Sequence, residues 1–300
     1  MPTPMDDEVL INVRAASINS WDWDLVRGEP FIIRLWGLQK PKYTIPGADY
    51  AGRIESVGKA VTLFKPGDDV FGDLCENSFG AFAEYTCARE NALTIKPPSM
   101  TFEQAAATPQ AGLMALQSLS DKGHLKAEQK VLINGAAGGV GTFAVQIAKS
   151  MGAEVTGVDS ALKLDKLLAL GADYVIDYTR EDFTRNGKGY DIIIDVVSNR
   201  SISEYKRSLN TGGIFIMIGG TMRSIFQIMF LRKFLSDSDK KLTMLPYRAN
   251  KGLDFMIELF ESGKVVPVID KVFHLAETPE AFRYYASGQF KGKIVIKSHP

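Results

Sequence analysis

The chain has 300 residues, about twice the usual length of one domain, with 45% apolar and 23% charged side chains. Those values exclude a disordered or fibrous protein. Lys and Arg together number 35, as do Asp and Glu, so no global basic field is present to grip nucleic acid. Cys75 and Cys87, with His124, His274 and His299, are too few for a disulfide framework or a four-cysteine zinc lobe. The start, MPTPMDDEVL, lacks the apolar core of a secretory signal. The richest apolar stretch, Ile225 to Leu235, is broken by Gln227, Arg232 and Lys233, too short to span a bilayer. The expectation is a soluble, cytoplasmic protein with no membrane insertion.

The first hundred residues are β-rich. EVLINV (Glu8–Val13), YAGRIESV (Tyr50–Val57) and FAEYTCA (Phe82–Ala88) carry β-branched and aromatic residues between turn signals at Pro46-Gly47 and Pro66-Gly67-Asp68. Thr101 with Gln104 three residues on is a capping box, predicting the start of an Ala-rich helix. From Lys130 strands and helices alternate. VLIN (Val131–Asn134) is a buried strand, and Val140, Phe143, Ala144, Ile147, Ala148 and Met151 mark one face of a helix. EVTGV, a helix over Ala161–Leu170, YVID, DIIIDVV (Asp191–Val197) and GIFIMIG (Gly213–Gly219) complete five buried strands. Uninterrupted apolar strands separated by helices predict a parallel sheet covered on both faces. After KLTMLPY and a helix to about Ser262, β character returns in KVVPVIDKVF and GKIVIK. The expected domains are 1–105 and 247–300, forming one β-rich unit, and 106–246, a doubly wound α/β domain.

The most informative turn is Gly135-Ala136-Ala137-Gly138-Gly139-Val140-Gly141, between the VLIN strand and its helix. In a dinucleotide-binding turn the first glycine makes the bend, the second admits the diphosphate to the backbone, and the third lets helix lie on strand. The helix N-terminus offers unpaired N–H groups to the phosphates. Asp159, ending the second strand, suits the adenosine ribose hydroxyls of NAD(H), and would repel a 2′-phosphate about 4 Å away by roughly 4 kcal/mol. Ser160, Lys163 and Tyr178 instead suit the phosphate of NADP(H). Lys163 as a solvated helix residue is an equal alternative, so both cofactors stay open.

The segments AASINSWDWDLVRG, IPGADYAGRIESVG, FKPGDDVFG, GAFAEY, AATPQAGLMALQSL, INGAAGGVG, LGADYVIDYTREDF and GKIVI follow one another over nearly the whole chain. In them the chain resembles the zinc-independent quinone oxidoreductase branch of the medium-chain dehydrogenase/reductase superfamily. The resemblance implies a GroES-like substrate domain built from both chain ends, a Rossmann domain, a cofactor between them, and a homodimer. Family members usually carry further residues ahead of the segment matching EVLINV. Zinc-dependent relatives place metal ligands where this chain has Asn19, Ala48 and a residue near Ala107, and Asp73–Ser78 is too short for a structural zinc lobe. Asn and Ala cannot supply the three ligands catalytic zinc needs, so no zinc is expected.

Without a Lewis acid, removing hydride from an unactivated alcohol is difficult. An electron-poor quinone or enone delocalises the charge itself, and needs alignment and one hydrogen bond to its carbonyl. Asn19 and Tyr50 are the candidate catalytic side chains, with turn formation and core packing as their alternatives. Trp21 and Trp23 either stack on a flat ring or pack the domain, and Asp22 orients backbone. Gln110, in Pro109-Gln110-Ala111-Gly112, matches the family segment at the nicotinamide end. Val197, Asn199, Gly219 and Gly220 follow strand ends, where ligands bind in open α/β sheets. Lys291 and Lys293 either reach a phosphate or, as the preferred reading, are solvated. The Ile225–Leu235 stretch with Arg223, Arg232 and Lys233 is read as an amphipathic packing helix, with a partner-facing surface or the cover of a hydrophobic entrance as alternatives. The histidines have no Ser or Cys partner at a recognisable spacing. The expected activity is NAD(P)H-dependent reduction of a small quinone or α,β-unsaturated carbonyl. A simple aldehyde or ketone reductase and a dinucleotide-binding regulator with little turnover are the alternatives.

Overall fold

Strand β1 (Glu8–Ser17) leads into α1 (Ser20–Arg27), β2 (Asp49–Val57), β3 (Asp69–Asp73), β4 (Tyr85–Arg89) and β5 (Thr94–Ile95). Helices α2 (Phe102–Ala106) and α3 (Pro109–Gln117) then precede β6 (Lys130–Asn134), α4 (Gly139–Ser150) and β7 (Glu154–Asp159). Next come α5 (Leu164–Ala169), β8 (Tyr174–Asp177), β9 (Tyr190–Asp195), α6 (Ile202–Ser208), β10 (Leu209–Met217) and β11 (Lys241–Met244). A helix over Leu253–Glu261, β12 (Ile269–His274), a helix over Thr278–Ala286 and β13 (Lys293–Lys297) close the chain. This computed structural model describes residues 1–29, 34, 42–77, 79–220, 224–228 and 239–298. Ser78, Arg223, Arg232, Lys233 and His299, and most of the Ile225–Leu235 stretch, lie outside the described residues.

The chain divides into two compact units. The first comprises Met1–Leu113, Arg248–Ser262 and Pro267–Pro300. Its sheet runs β12-β13-β1-β2-β3-β5, with β4 also on β1. Strand β13 pairs antiparallel with β1, Ala16 opposite Ile296, so both chain ends build one sheet. Val9, Ile11, Ile54, Ile294 and Ile296 are buried in its core. FAEYTCA becomes a strand only from Tyr85, because the N–H groups of Ala81 and Phe82 donate to the carbonyls of Gly47 and Pro46 instead. The expected capping box forms: Gln104 N–H donates to Thr101 Oγ1 at 3.1 Å and Thr101 N–H to Gln104 Oε1 at 3.0 Å. The Ala-rich helix that follows is split at Thr108, ahead of Pro109.

The second unit comprises Met114–Tyr247 and Gly263–Val266. Its sheet has the order β11-β10-β9-β6-β7-β8, all parallel. The five expected strands are joined by a sixth, β11, at the edge. Val131, Leu132, Ile133, Ile193 and Ile194 are fully buried, as strands covered on both faces require. Phe143, Ala144, Ile147 and Ala148 form the buried face of α4. From β6 the chain winds through β7 and β8 to one side, then through β9, β10 and β11 on the other. The direction of winding reverses between β6 and β9, and their carboxyl ends are where open α/β sheets bind ligands.

Candidate active site

In the second unit, the turn after β6 is built by its glycines. Gly135 has φ +83°, and a Cβ on Gly141 would stand 2.3 Å from the Gly135 carbonyl oxygen. A Cβ on Gly138 would meet only that oxygen, at 3.5 Å, so this stretch of backbone stays open. The N–H groups of Gly135 and Ala136 both donate to the Val158 carbonyl, at 3.0 and 3.1 Å. At the start of α4, Gly139, Val140 and Gly141 carry the N–H groups that a helix cannot satisfy internally. With the positive end of the helix dipole they form a cradle for a diphosphate.

Asp159 and Lys163, the rivals of the cofactor question, are partners. Asp159 Oδ2 accepts the Ala137 N–H at 3.0 Å, and Oδ1 accepts the Ser160 N–H at 2.9 Å. Lys163 Nζ lies 3.6 Å from Oδ1. Both side chains are buried, which corrects the solvated reading of Lys163. Neutralising Asp159 is what keeps that ammonium close. Tyr178 donates its N–H to the Asp159 carbonyl and leaves its ring about half exposed.

At the ends of β9 and β10, Asp195 accepts the Nδ2 of Asn134 at 2.9 Å and the N–H groups of Val197 and Ser198. Asn199 Oδ1 accepts from the same Asn134 amide at 3.2 Å. Ser198, at φ +56°, donates its hydroxyl to the Gly219 carbonyl, and a Cβ on Gly220 would stand 2.9 Å from its side chain. Val197 is 47% exposed, so its side chain is presented at this rim. Sequence reasoning passed over Asn134 and Asp195. Their signal was a polar residue closing each of two otherwise apolar strands.

In the first unit a buried polar cluster joins four segments. Asp49 opens β2 and Lys293 opens β13, while Asn19 precedes α1 and Gln110 lies in its own helix, α3. Lys293 was read as solvated, yet it is 2% exposed. The correction has a clear cause: its ammonium donates to Asn19 Oδ1 at 2.5 Å and to the Ile18 carbonyl at 3.3 Å, and stands 3.5 Å from Asp49 Oδ2. Asp49 Oδ2 also accepts Asn19 Nδ2 at 2.9 Å and the Ser17 hydroxyl at 3.2 Å, and its Oδ1 accepts the Gln110 N–H at 3.0 Å. Burial raises the Asp49 carboxyl and lowers the Lys293 ammonium, each opposed by the charge of the other. Asp22 accepts the N–H groups of Asn19 and Gly47, both at 2.8 Å, and burial pushes its carboxyl up to about 7. It therefore orients backbone, as expected.

Tyr50 is corrected as a catalytic candidate. It is fully buried and its hydroxyl proton is committed to the Ala92 carbonyl at 3.0 Å. Trp23 stacks on Phe282 at 6.0 Å within the core, whereas Trp21 is 39% exposed.

The first unit carries the signature of the alcohol dehydrogenase GroES-like domain over residues 5–98. A zinc-binding dehydrogenase signature covers residues 170–296. A quinone-oxidoreductase homolog from the chloroplast of Spinacia oleracea is 33% identical, the match covering 99% of this chain and 92% of that protein. The family is thereby decided. The chain belongs to the medium-chain dehydrogenase/reductase family, on its quinone oxidoreductase branch. An NADPH-dependent alkenal/one oxidoreductase from the chloroplast of Arabidopsis thaliana is 30% identical over 100% of this chain and 74% of its own. The solved quinone oxidoreductase of Coxiella burnetii superposes with a TM-score of 0.90 at 29% identity, covering 100% of this chain and 93% of that one.

The name of the second signature raises zinc, and the donor set does not fit it. A divalent cation on Asn19 Oδ1 would stand against the Lys293 ammonium already bonded there. Ala48 and Ala107 offer no donor atom in their side chains, and among the described residues no three His, Cys, Asp or Glu side chains are grouped to hold a metal ion. The glycine turn, by contrast, fits a dinucleotide through its open backbone and unpaired N–H groups.

Proposed function

We propose that the chain is an NAD(P)H-dependent reductase of quinones or α,β-unsaturated carbonyls that works without zinc. The observation carrying this reading is the glycine turn on β6 at the reversal of strand order, backed by the quinone and alkenal/one reductases among its relatives. When bound, reduced NAD(P)H supplies a hydride to an electron-poor acceptor. The N–H groups of Gly139, Val140 and Gly141 hold the diphosphate, with Gly135, Ala136 and Gly138 keeping the backbone open to it. Ser160, Lys163 and Tyr178 take the adenosine end. Asp159, held by Ala137 and Lys163, sets how much negative charge that end tolerates. Val197, Asn199, Gly219 and Gly220 shape the rim at the strand ends, and Gln110 takes the nicotinamide end.

Asn19 donates to the acceptor carbonyl and stabilises the charge that gathers on its oxygen. The molecule acts as a homodimer in the cytoplasm in this reading. Among the described residues no helix is long and apolar enough to cross a membrane, and several relatives belong to chloroplasts or mitochondria. The test is turnover: purified protein with NADPH or NADH and a panel of quinones, enones, aldehydes and ketones, followed at the nicotinamide absorbance. Oxidation with quinones or enones is expected. Oxidation with simple aldehydes only, or with no acceptor, overturns the reading.

A further inference from the structure

Four buried polar side chains of the first unit meet: Ser17 and Asp49 are fully buried, Lys293 is 2% exposed and Asn19, the most accessible, is 7% exposed. Burying an ammonium and a carboxylate is expensive, and replacing such a pair by apolar groups is often neutral or stabilising. A stability role alone is therefore a weak reason for it. What the pair does geometrically is specific. An ammonium only donates and an ionised carboxylate only accepts, so Lys293 on Oδ1 and Asp49 on Nδ2 allow the Asn19 amide one of its two flip states. One Nδ2 hydrogen goes to Asp49, and the second is uncommitted among the described residues. The other oxygen of the same carboxylate holds the main-chain N–H of Gln110.

We propose that Lys293 is a positioning residue for acceptor reduction: together with Asp49 it locks the Asn19 amide so that its one remaining N–H points in a fixed direction, in register with Gln110. The proposal rests on the reading of Asn19 as the acceptor's hydrogen-bond donor. A donor free to flip would present its carbonyl oxygen to the acceptor half of the time and repel the charge that develops there. Misplacement of a donor by about 1 Å can cost about 100-fold in rate.

The experiment compares wild type, K293M, D49N, K293M/D49N, N19A and the triple variant, all as the full chain with saturating NADPH and 1,4-benzoquinone as acceptor. Thermal unfolding and NADPH titration by calorimetry accompany the kinetics. The single-charge variants leave an unpaired buried charge and melt early, while the double neutral variant recovers most of that loss. Its kcat nevertheless falls about 100-fold, its NADPH affinity stays at the wild-type value, and adding N19A lowers kcat no further, since the three side chains act as a unit. Wild-type kcat in K293M/D49N or in N19A overturns the proposal, as does a triple variant whose losses simply multiply. Failure of wild type itself to oxidise NADPH with any acceptor would instead strike the functional reading beneath it.

Discussion

Lys293 Nζ lies 2.5 Å from Oδ1 of Asn19, a residue 274 positions earlier in the chain. Antiparallel pairing of β13 with β1 makes the meeting possible, because it carries the last strand alongside the strand that runs into Asn19. The last strand of the chain thus delivers the cation of the first unit's polar cluster.

The ion pair on the second strand of the nucleotide unit governs cofactor choice. Asp159→Ser removes the carboxylate beside Lys163 and frees the ammonium for a 2′-phosphate. The ratio of NADPH to NADH affinity is expected to rise at least tenfold, given roughly 4 kcal/mol of repulsion between a carboxylate and a phosphate about 4 Å apart at an effective dielectric of about 20. Lys163→Ala shifts the ratio the other way. Calorimetric titration with each coenzyme reads both, and an unchanged ratio in the two variants would remove this pair from the adenosine end.

Gly141→Ala tests the turn by volume alone. Its new Cβ would come within 2.3 Å of the Gly135 carbonyl and 2.5 Å of the Ala136 backbone, atoms that cannot give way as a side-chain tip can. A loss of about 1–3 kcal/mol in urea unfolding is expected, with weakened coenzyme binding. Gly138→Ala, where the nearest atom is 3.5 Å away, should cost little stability but still weaken binding, because its methyl group would occupy the diphosphate's approach.

Asp22 gives the fold a pH signature. Burial pushes its carboxyl up to about 7 in the folded state, against 3.8 for a free aspartate, so between those values the folded state holds more protons than the unfolded one. Stability from this group therefore falls as pH rises from about 4 to about 7. Asp22→Asn cannot titrate, and although it loses a bond to one backbone N–H, its own pH slope should be flatter. Denaturation series at pH 4.5 and 7.5 are expected to show wild type losing up to about 3 kcal/mol relative to the variant over this window. Parallel slopes would contradict the shift.

Tyr50→Phe separates packing from chemistry. Removing the hydroxyl leaves the buried Ala92 carbonyl without its partner, at a cost of about 1–3 kcal/mol in stability. The kcat with quinone is expected to stay at the wild-type level.

Much of this was legible in the linear sequence because it depends on local pattern. The glycine spacing at 135, 138 and 141, the apolar runs of β6 and β9 and the capping box at Thr101 each act within a few residues, and each forms as its chemistry dictates. Local pattern also explains the misses. Lys293 flanks the apolar run Ile294-Val295-Ile296 as an ordinary charged strand end, and only the long-range pairing of β13 with β1 shows its side chain to be enclosed. Tyr50 offered a phenol on paper, but its register opposite Gly72 and Ala16 turned it inward toward Ala92. The Asp159–Lys163 contact needed the 3-10 turn that starts after Ser160, which brings Lys163, four positions on, back onto Asp159.

The central claim is that the backbone after β6 holds a reduced dinucleotide whose reducing power passes to an electron-poor carbonyl compound. Single-turnover oxidation of NADPH by 1,4-benzoquinone, catalysed by wild type and slowed at limiting NADPH in Gly141→Ala, tests it most directly. Catalysed oxidation is expected, stoichiometric with quinone consumed. A well-folded protein that neither binds NADPH or NADH nor speeds their oxidation would contradict it.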